Sequence, residues 1–166
     1  AETWEWDGSI WTKSSATAAP ARRNACMAWD GAHNAAVMFG GFTTRPRFTY
    51  LSDTWTWNGT KWTDVSPASP GWIYEARMVY DTTRQQTLVC TGLDSADAYL
   101  DLWAWDGRDW THPSTEGPPT RRLYALAFDT YRGKAVLFGG ENTQGQYFGD
   151  TWEWDGSCWT KVSTTG

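Results

Sequence analysis

A ten-residue motif built around tryptophan occurs four times and aligns without gaps. It reads Thr3-Trp-Glu-Trp-Asp-Gly-Ser-Ile-Trp-Thr12, Thr54-Trp-Thr-Trp-Asn-Gly-Thr-Lys-Trp-Thr63, Leu102-Trp-Ala-Trp-Asp-Gly-Arg-Asp-Trp-Thr111 and Thr151-Trp-Glu-Trp-Asp-Gly-Ser-Cys-Trp-Thr160. The first tryptophans are Trp4, Trp55, Trp103 and Trp152, so the period is 51, 48 and 49 residues. Repetition at this period marks a solenoid, a propeller or an array. Within the motif, Trp-x-Trp places two indoles on one face of a strand, because strand side chains alternate. Asp-Gly or Asn-Gly then favours a tight hairpin turn, and the third Trp lies on the returning strand.

A second unit lies between the motifs. Ala25 to Asp30 is followed by Ala35 to Gly41, Ala76 to Asp81 by Gln86 to Gly92, and Ala125 to Asp129 by Lys134 to Gly140. Each reads as an alternating strand ending in Asp, a polar turn, and a β-rich strand ending in or near Gly-Gly. No segment sustains apolar residues at helical spacing between caps. The expected fold class is therefore all-β, with each period supplying one four-stranded antiparallel sheet. Four-stranded units at a period near 49 fit propeller blades.

The pattern resembles the Kelch family. The resemblance is carried by Gly40-Gly41 and Gly139-Gly140, by the Trp of each fourth strand, and by the arginine pairs after Pro20 and Pro119. It spans nearly the whole chain. The middle repeat departs from it, with Thr91-Gly92 in place of Gly-Gly and no arginine pair before its first strand. The resemblance implies one Kelch-type propeller domain over 1–166, divided into a half-blade at 1–17 and blades at 18–66, 67–115 and 116–164. That is about three and a half blades, and closed propellers use four to eight. Two apolar sheet faces would be left in water. The arc is therefore expected to be completed, by a head-to-tail homodimer closing a six- to seven-bladed ring or by a longer chain.

Composition excludes several functions. Nineteen acidic and 14 basic side chains give a net charge of −5, which disfavours nucleic acid and anionic membrane surfaces. No apolar run approaches the ~18 residues of a transmembrane helix. Two His and three Cys without metal-ligand spacing point to no metal and no cofactor. Cys26 and Cys90 read as buried strand residues, and Cys158 as an exposed turn residue outside any disulfide framework. The compartment stays open, with an extracellular setting placed ahead of a cytoplasmic one.

Twelve of the 14 Trp occupy equivalent repeat positions and read as packing between sheets rather than as a sugar-stacking platform. Trp29 also reads as core, being replaced by Tyr80 and Phe128. Trp72 has no aromatic counterpart and is a site candidate, its alternative being a drifted loop residue.

The longer loops fall at one end of the sheets, where function tends to gather. Arg22, Arg23, Arg45, Arg47, Arg77, Arg121 and Arg122 map there, while Asp7, Asp30, Asp81, Asp106, Asp129 and Asp155 map to the opposite end. Clustered guanidiniums make a multidentate anion receptor. The expected partner is an acidic small molecule, glycan or peptide, with Arg77, Arg23, Arg122, Trp72, Tyr74, Arg45 and Arg47 as ligand-binding residues. In Kelch domains such arginines serve both as frame residues and as ligand contacts. Arg23 and Arg122, with Tyr74 in the middle repeat, match the position that faces acidic peptides.

Arg77 replaces Cys26 and Ala125 in a first strand, in the small-residue phase expected to line the channel. Its partner is Glu75, Asp94, Asp97 or a bound anion. A binding module is the first reading, and an enzyme acting on an acidic sugar, with Glu75 as acid–base, is the second. A purely architectural arc is the third. Copper oxidases, a sialic acid mutarotase and iron-using specifier proteins occur among Kelch-like propellers. No His pair here converges for copper, and no Ser-His-Asp elbow is present.

Overall fold

Alternation of apolar and polar residues, broken by Asx-Gly turns, produces an all-β chain. The computed structural model describes residues 1–67, 70–71, 75–91, 99–113 and 116–163, the side chain of Ser163 excepted. No helix occurs among the described residues. The chain opens with a hairpin of β1 (Trp4–Trp6) and β2 (Trp11–Lys13). The first four-stranded sheet contains β3 (Cys26–Asp30) and β4 (Ala35–Phe39). A small hairpin of β5 (Phe42–Thr43) and β6 (Thr49–Tyr50) interrupts it, and β7 (Thr54–Trp57) and β8 (Trp62–Asp64) complete it. The second sheet comprises β9 (Arg77–Asp81), β10 (Gln86–Thr91), β11 (Asp101–Trp105) and β12 (Trp110–Thr111). The third comprises β13 (Ala125–Asp129), β14 (Lys134–Phe138), β15 (Thr151–Trp154) and β16 (Trp159–Ser163). Each is an antiparallel meander in chain order. The β5–β6 hairpin was expected as plain loop. It is held by Phe48, whose ring lies 5.2 Å from Phe42 and 4.9 Å edge-on from Tyr50.

Both turn types use one device. Asp7, Asn58, Asp106 and Asp155 each accept two backbone N–H groups through Oδ1, at 2.8 to 3.0 Å. Asp30, Asp81 and Asp129 do the same at 2.9 to 3.2 Å. The acidic end of the molecule is thus a row of turn acceptors, as the short turns required.

The sheets stack face to face around their first strands. β9 lies against both β3 and β13, giving an open, propeller-like arc. Between the first two sheets Cys26, Val37, Phe39, Val89, Trp105 and Trp110 are buried, with Met78 against them. Between the second and third lie Leu88, Cys90, Leu102, Tyr124, Leu137, Trp154 and Trp159, with Val79 and Phe128 against them. Each sheet therefore presents its bulky phase to the sheet before it and its small phase to the sheet after it. This corrects one expectation: the small phase of the first strands packs on the next sheet, as Val79 does, and is not simply a channel lining.

Indole N–H groups cross these interfaces. Trp110 Nε1 donates to Thr54 Oγ1 at 2.9 Å. On the free side of the first sheet, Trp62 Nε1 donates to Thr3 Oγ1 at 2.8 Å and Trp57 Nε1 to Glu5 Oε1 at 3.0 Å. The corresponding places facing Trp159 and Trp154 are Leu102 and Ala104, which carry no side-chain acceptor, and both indole nitrogens are buried without a partner among the described residues.

Packing between sheets buries Trp57, Trp105, Trp110, Trp154 and Trp159, each less than a tenth exposed. Trp29 departs from its expected core role and is 54% exposed, as is Met27 at 59%. The counterpart Tyr80 is seated against the first sheet, where its hydroxyl accepts Ala32 N–H at 2.9 Å. Trp29 has only a two-stranded hairpin on its side, and that hairpin reaches the outer strands alone. Trp4, Trp6 and Trp11 of the hairpin are exposed for the same reason. Trp105→Ala should cost roughly 3–5 kcal/mol in urea unfolding, whereas Trp6→Ala should cost less than about 1 kcal/mol.

Candidate functional site

The strand entries at the long-loop end repeat one conformation. Asn24, Glu75 and Leu123 occupy equivalent positions and have φ of 53°, 54° and 57°. The chain here turns sharply into each first strand. In the outer repeats it also runs against the Gly-Gly pair. A Cβ on Gly41 would strike the Arg23 carbonyl, and one on Gly140 would lie 2.7 Å from the Arg122 carbonyl. The pair at this site is glycine because backbone approaches backbone.

This turn sorts the arginines. The first of each pair points into the frame. Arg22 Nη1 and Nη2 donate to the two Asp53 oxygens at 2.6 and 2.7 Å, and to the carbonyl of Gly40 at 3.0 Å. Arg121 is fully buried and repeats this with Asp150, Gly139 and Pro119. Its guanidinium lies 4.0 Å from the Phe148 ring centre. Burial by itself would raise the Asp150 carboxyl. Hydrogen bonds from Arg121 and Trp152, with the Arg121 charge, outweigh it and bring the group down to about 2. Asp53 is lowered in the same way, by Arg22 and Trp55 against burial.

The second arginine of each pair continues into a backbone bridge, Arg23 to Phe42 and Arg122 to Glu141. Arg122 Nε donates to Glu141 Oε1 at 2.9 Å. Arg23 is exposed and has no carboxylate partner among the described residues. Arg23 and Arg45 line one open cleft with Phe42 and Thr43, of about 290 Å³. Arg45 and Arg47 sit on the turn of the β5–β6 hairpin.

Arg77 opens β9, half-buried, and its guanidinium donates to the Ala76 carbonyl at 3.2 Å. Its charge reaches Cys26 and Tyr124. Burial nonetheless pushes the Cys26 thiol up to about 12, so it is not a thiolate. Tyr124 is held un-ionised by burial, and its hydroxyl donates to the Cys90 carbonyl at 2.7 Å. Glu75, one of the candidate partners, forms no ion pair with Arg77, and its Oε2 is buried with no hydrogen-bond partner among the described residues. Asp94 and Asp97, and the candidates Trp72 and Tyr74, lie outside the described residues.

Six of the ten arginines face carboxylates: Arg22, Arg84, Arg108, Arg121, Arg122 and Arg132. The four without a carboxylate partner among the described residues are Arg23, Arg45, Arg47 and Arg77, and all belong to the long-loop end. Sequence reasoning missed Asp53 and Asp150 as the frame partners. The signal was present, since each stands two residues before a Trp whose Nε1 it also accepts, at 2.6 and 2.9 Å. No group of three or more His, Cys, Asp or Glu suited to a metal occurs among the described residues.

No family model and no curated protein matches the sequence. Among solved structures the chain is similar to a structure of YjhT, with a TM-score of 0.75 and 15% identity over 98% of this chain. It spans 58% of that chain. A fucose lectin from Kordia zhangzhouensis, in complex with methyl-fucoside, is similar at a TM-score of 0.45 and 17% identity. That match covers 86% of this chain and 99% of the lectin. At 15% identity the likeness to YjhT is one of fold.

Asp150 titrates below an ordinary carboxylate, so the unfolded chain holds its proton more tightly than the fold does. The pair should therefore contribute about 2 kcal/mol above pH ~4, lost as pH falls through ~2. Unfolding free energy measured against pH should show this loss, and Asp150→Asn should flatten it.

Proposed function

We propose that this chain is a Kelch-type recognition module, part of a propeller ring, that binds an acidic ligand at its long-loop end. The observation that carries the reading is the segregation of the arginines. Every carboxylate-paired guanidinium is already satisfied within the frame or at a turn, while Arg23, Arg45, Arg47 and Arg77 are not. Guanidiniums without a carboxylate partner among the described residues, on a protein of net charge −5, are poised for a carboxylate, sulfate or phosphate from outside. Glycans and peptides bearing such groups, and small anions, share this chemistry. The frame pair Arg22–Asp53 holds the strand entry that presents Arg23.

The likeness to the longer YjhT chain supports a ring with more sheets than the three present here. Three and a half blade-lengths in 58% of that chain correspond to about six in all, inside the range of closed propellers.

One observation favours a second reading, catalysis on the same class of ligand. Glu75 Oε2 is buried and without a hydrogen-bond partner among the described residues, two residues from Arg77, which suits a carboxyl that exchanges a proton with a bound molecule.

Calorimetric titration with uronic acids, sialic acid, sulfated oligosaccharides and an acidic peptide tests the first reading. Binding should weaken with salt, and Arg77→Ala should lower affinity roughly tenfold or more, as expected for a lost charge-assisted hydrogen bond. Unchanged binding in an Arg23→Ala/Arg45→Ala/Arg77→Ala variant would exclude the assigned face. If the second reading holds, Glu75→Gln abolishes turnover of a bound sugar while leaving its affinity within about threefold. Absence of turnover in the unaltered chain with every bound ligand eliminates it.

A further inference from the structure

The β1–β2 hairpin occupies a place that the rest of the molecule defines. Each internal interface seats the outer tryptophans of one sheet on the third strand of the sheet before it, as Trp110 is seated on Thr54. The first sheet makes the same contacts with the hairpin. Trp62 bonds Thr3, the counterpart of Thr54, and Trp57 bonds Glu5. The hairpin therefore stands where the outer half of a preceding sheet belongs. Among the described residues no inner strand pair lies beside it, and Met27 and Trp29 are exposed there.

The third sheet carries the same hairpin. Thr151 to Thr160 differs from Thr3 to Thr12 only in Cys158 for Ile10. Thr151 and Glu153 thus stand where Thr3 and Glu5 stand in the hairpin. The trailing face of this sheet has nothing packed on it among the described residues, and its small phase is exposed: Ala125, Ala127 and Phe138, the last at 49%. Phe138 is the counterpart of Phe39, which in the first interface packs edge-on to Trp110 at 5.1 Å.

We infer that a second copy of this chain docks its third sheet onto the first sheet, displacing the β1–β2 hairpin, and that two such contacts close a six-sheet ring. The hairpin is an internal mimic that holds the seat in the single chain. In the dimer, Thr151 and Glu153 of the second copy take over Trp62 and Trp57, and β13–β14 cover Met27 and Trp29. Glu153 is buried beneath Arg132 and Lys134, which hold its two oxygens; those exposed cations must swing aside before the remaining lone pairs reach an indole donor. The contact is heterologous, bulky face to small face, and closes because each copy offers one of each. This rests on the ring-completion reading and is independent of the ligand reading.

Sedimentation across a concentration series tests it. The chain should show a monomer–dimer equilibrium. Thr3→Ala/Glu5→Ala, which loosens the mimic, should shift it toward dimer by about tenfold, and a synthetic peptide of residues 1–13 should shift it back. Phe138→Arg and Trp29→Glu, both at half-exposed positions, should each be monomeric with an unaltered melting temperature. A one-to-one mixture of these two variants retains one intact contact and should recover a dimer. A chain that stays monomeric with the mimic loosened overturns the inference. So does a dimer indifferent to both Phe138→Arg and Trp29→Glu. Anion titration of the Phe138→Arg monomer separates the two readings, since binding that persists there leaves the ligand face standing.

Discussion

Indole burial between successive sheets is the interaction on which the rest of this structure depends. A four-stranded antiparallel meander with three tryptophans toward one side has no core of its own. Its bulky phase needs a smaller surface opposite, and the small phase of the preceding sheet supplies one. Trp105 and Trp110 sit over Val37 and Phe39, and Trp154 and Trp159 over Leu88 and Leu102. Each fully buried aromatic contributes roughly 2–3 kcal/mol, so stacking outweighs anything a single sheet could provide. The same requirement explains the exceptions, because Trp29 and the hairpin tryptophans are exposed where the neighbouring sheet is incomplete.

Stacking sheets by their faces leaves their two ends free for different work. One end is closed by aspartates that accept backbone N–H groups in short turns, and its negative charge is spent on the fold. At the other end, the connections are long and turn through left-handed residues against Gly-Gly. There the buried Arg22–Asp53 and Arg121–Asp150 pairs brace the loops from below. The arginine next in sequence then lies outward, and its neighbours Arg45 and Arg47 ride on an aromatic-pinned hairpin. The charge separation of the molecule is a consequence of this division between turn acceptors and loop donors.

Much of this was legible in the residues. Period, strand alternation and Asx-Gly turns give the three sheets within a few residues of their limits, because those signals are local. The split between frame and free arginines was not legible. Arg22 and Asp53 are 31 residues apart, and whether a guanidinium points inward depends on the φ of the residues that follow it. The β5–β6 hairpin escaped notice because its strands are two residues long and held by the Phe48 ring rather than by a strand pattern. Trp29 was read as core because Tyr80 and Phe128 stand at the equivalent position, a comparison that holds only where the preceding sheet is complete. Glu75 was one of four candidate partners of Arg77, with Asp94, Asp97 and a bound anion, and the two do not pair because Glu75 lies on the left-handed corner and Arg77 on the strand.

Hydrogen exchange at the indole nitrogens measures the central claim directly. The N–H groups of Trp105, Trp110, Trp154 and Trp159 are enclosed between sheets, and those of Trp4, Trp6 and Trp11 belong to exposed residues. The first group should exchange only through unfolding of the whole arc, thousands of times more slowly than the second. Equal and rapid exchange in both groups would mean that the sheets do not bury their tryptophans against one another, and the account would fail.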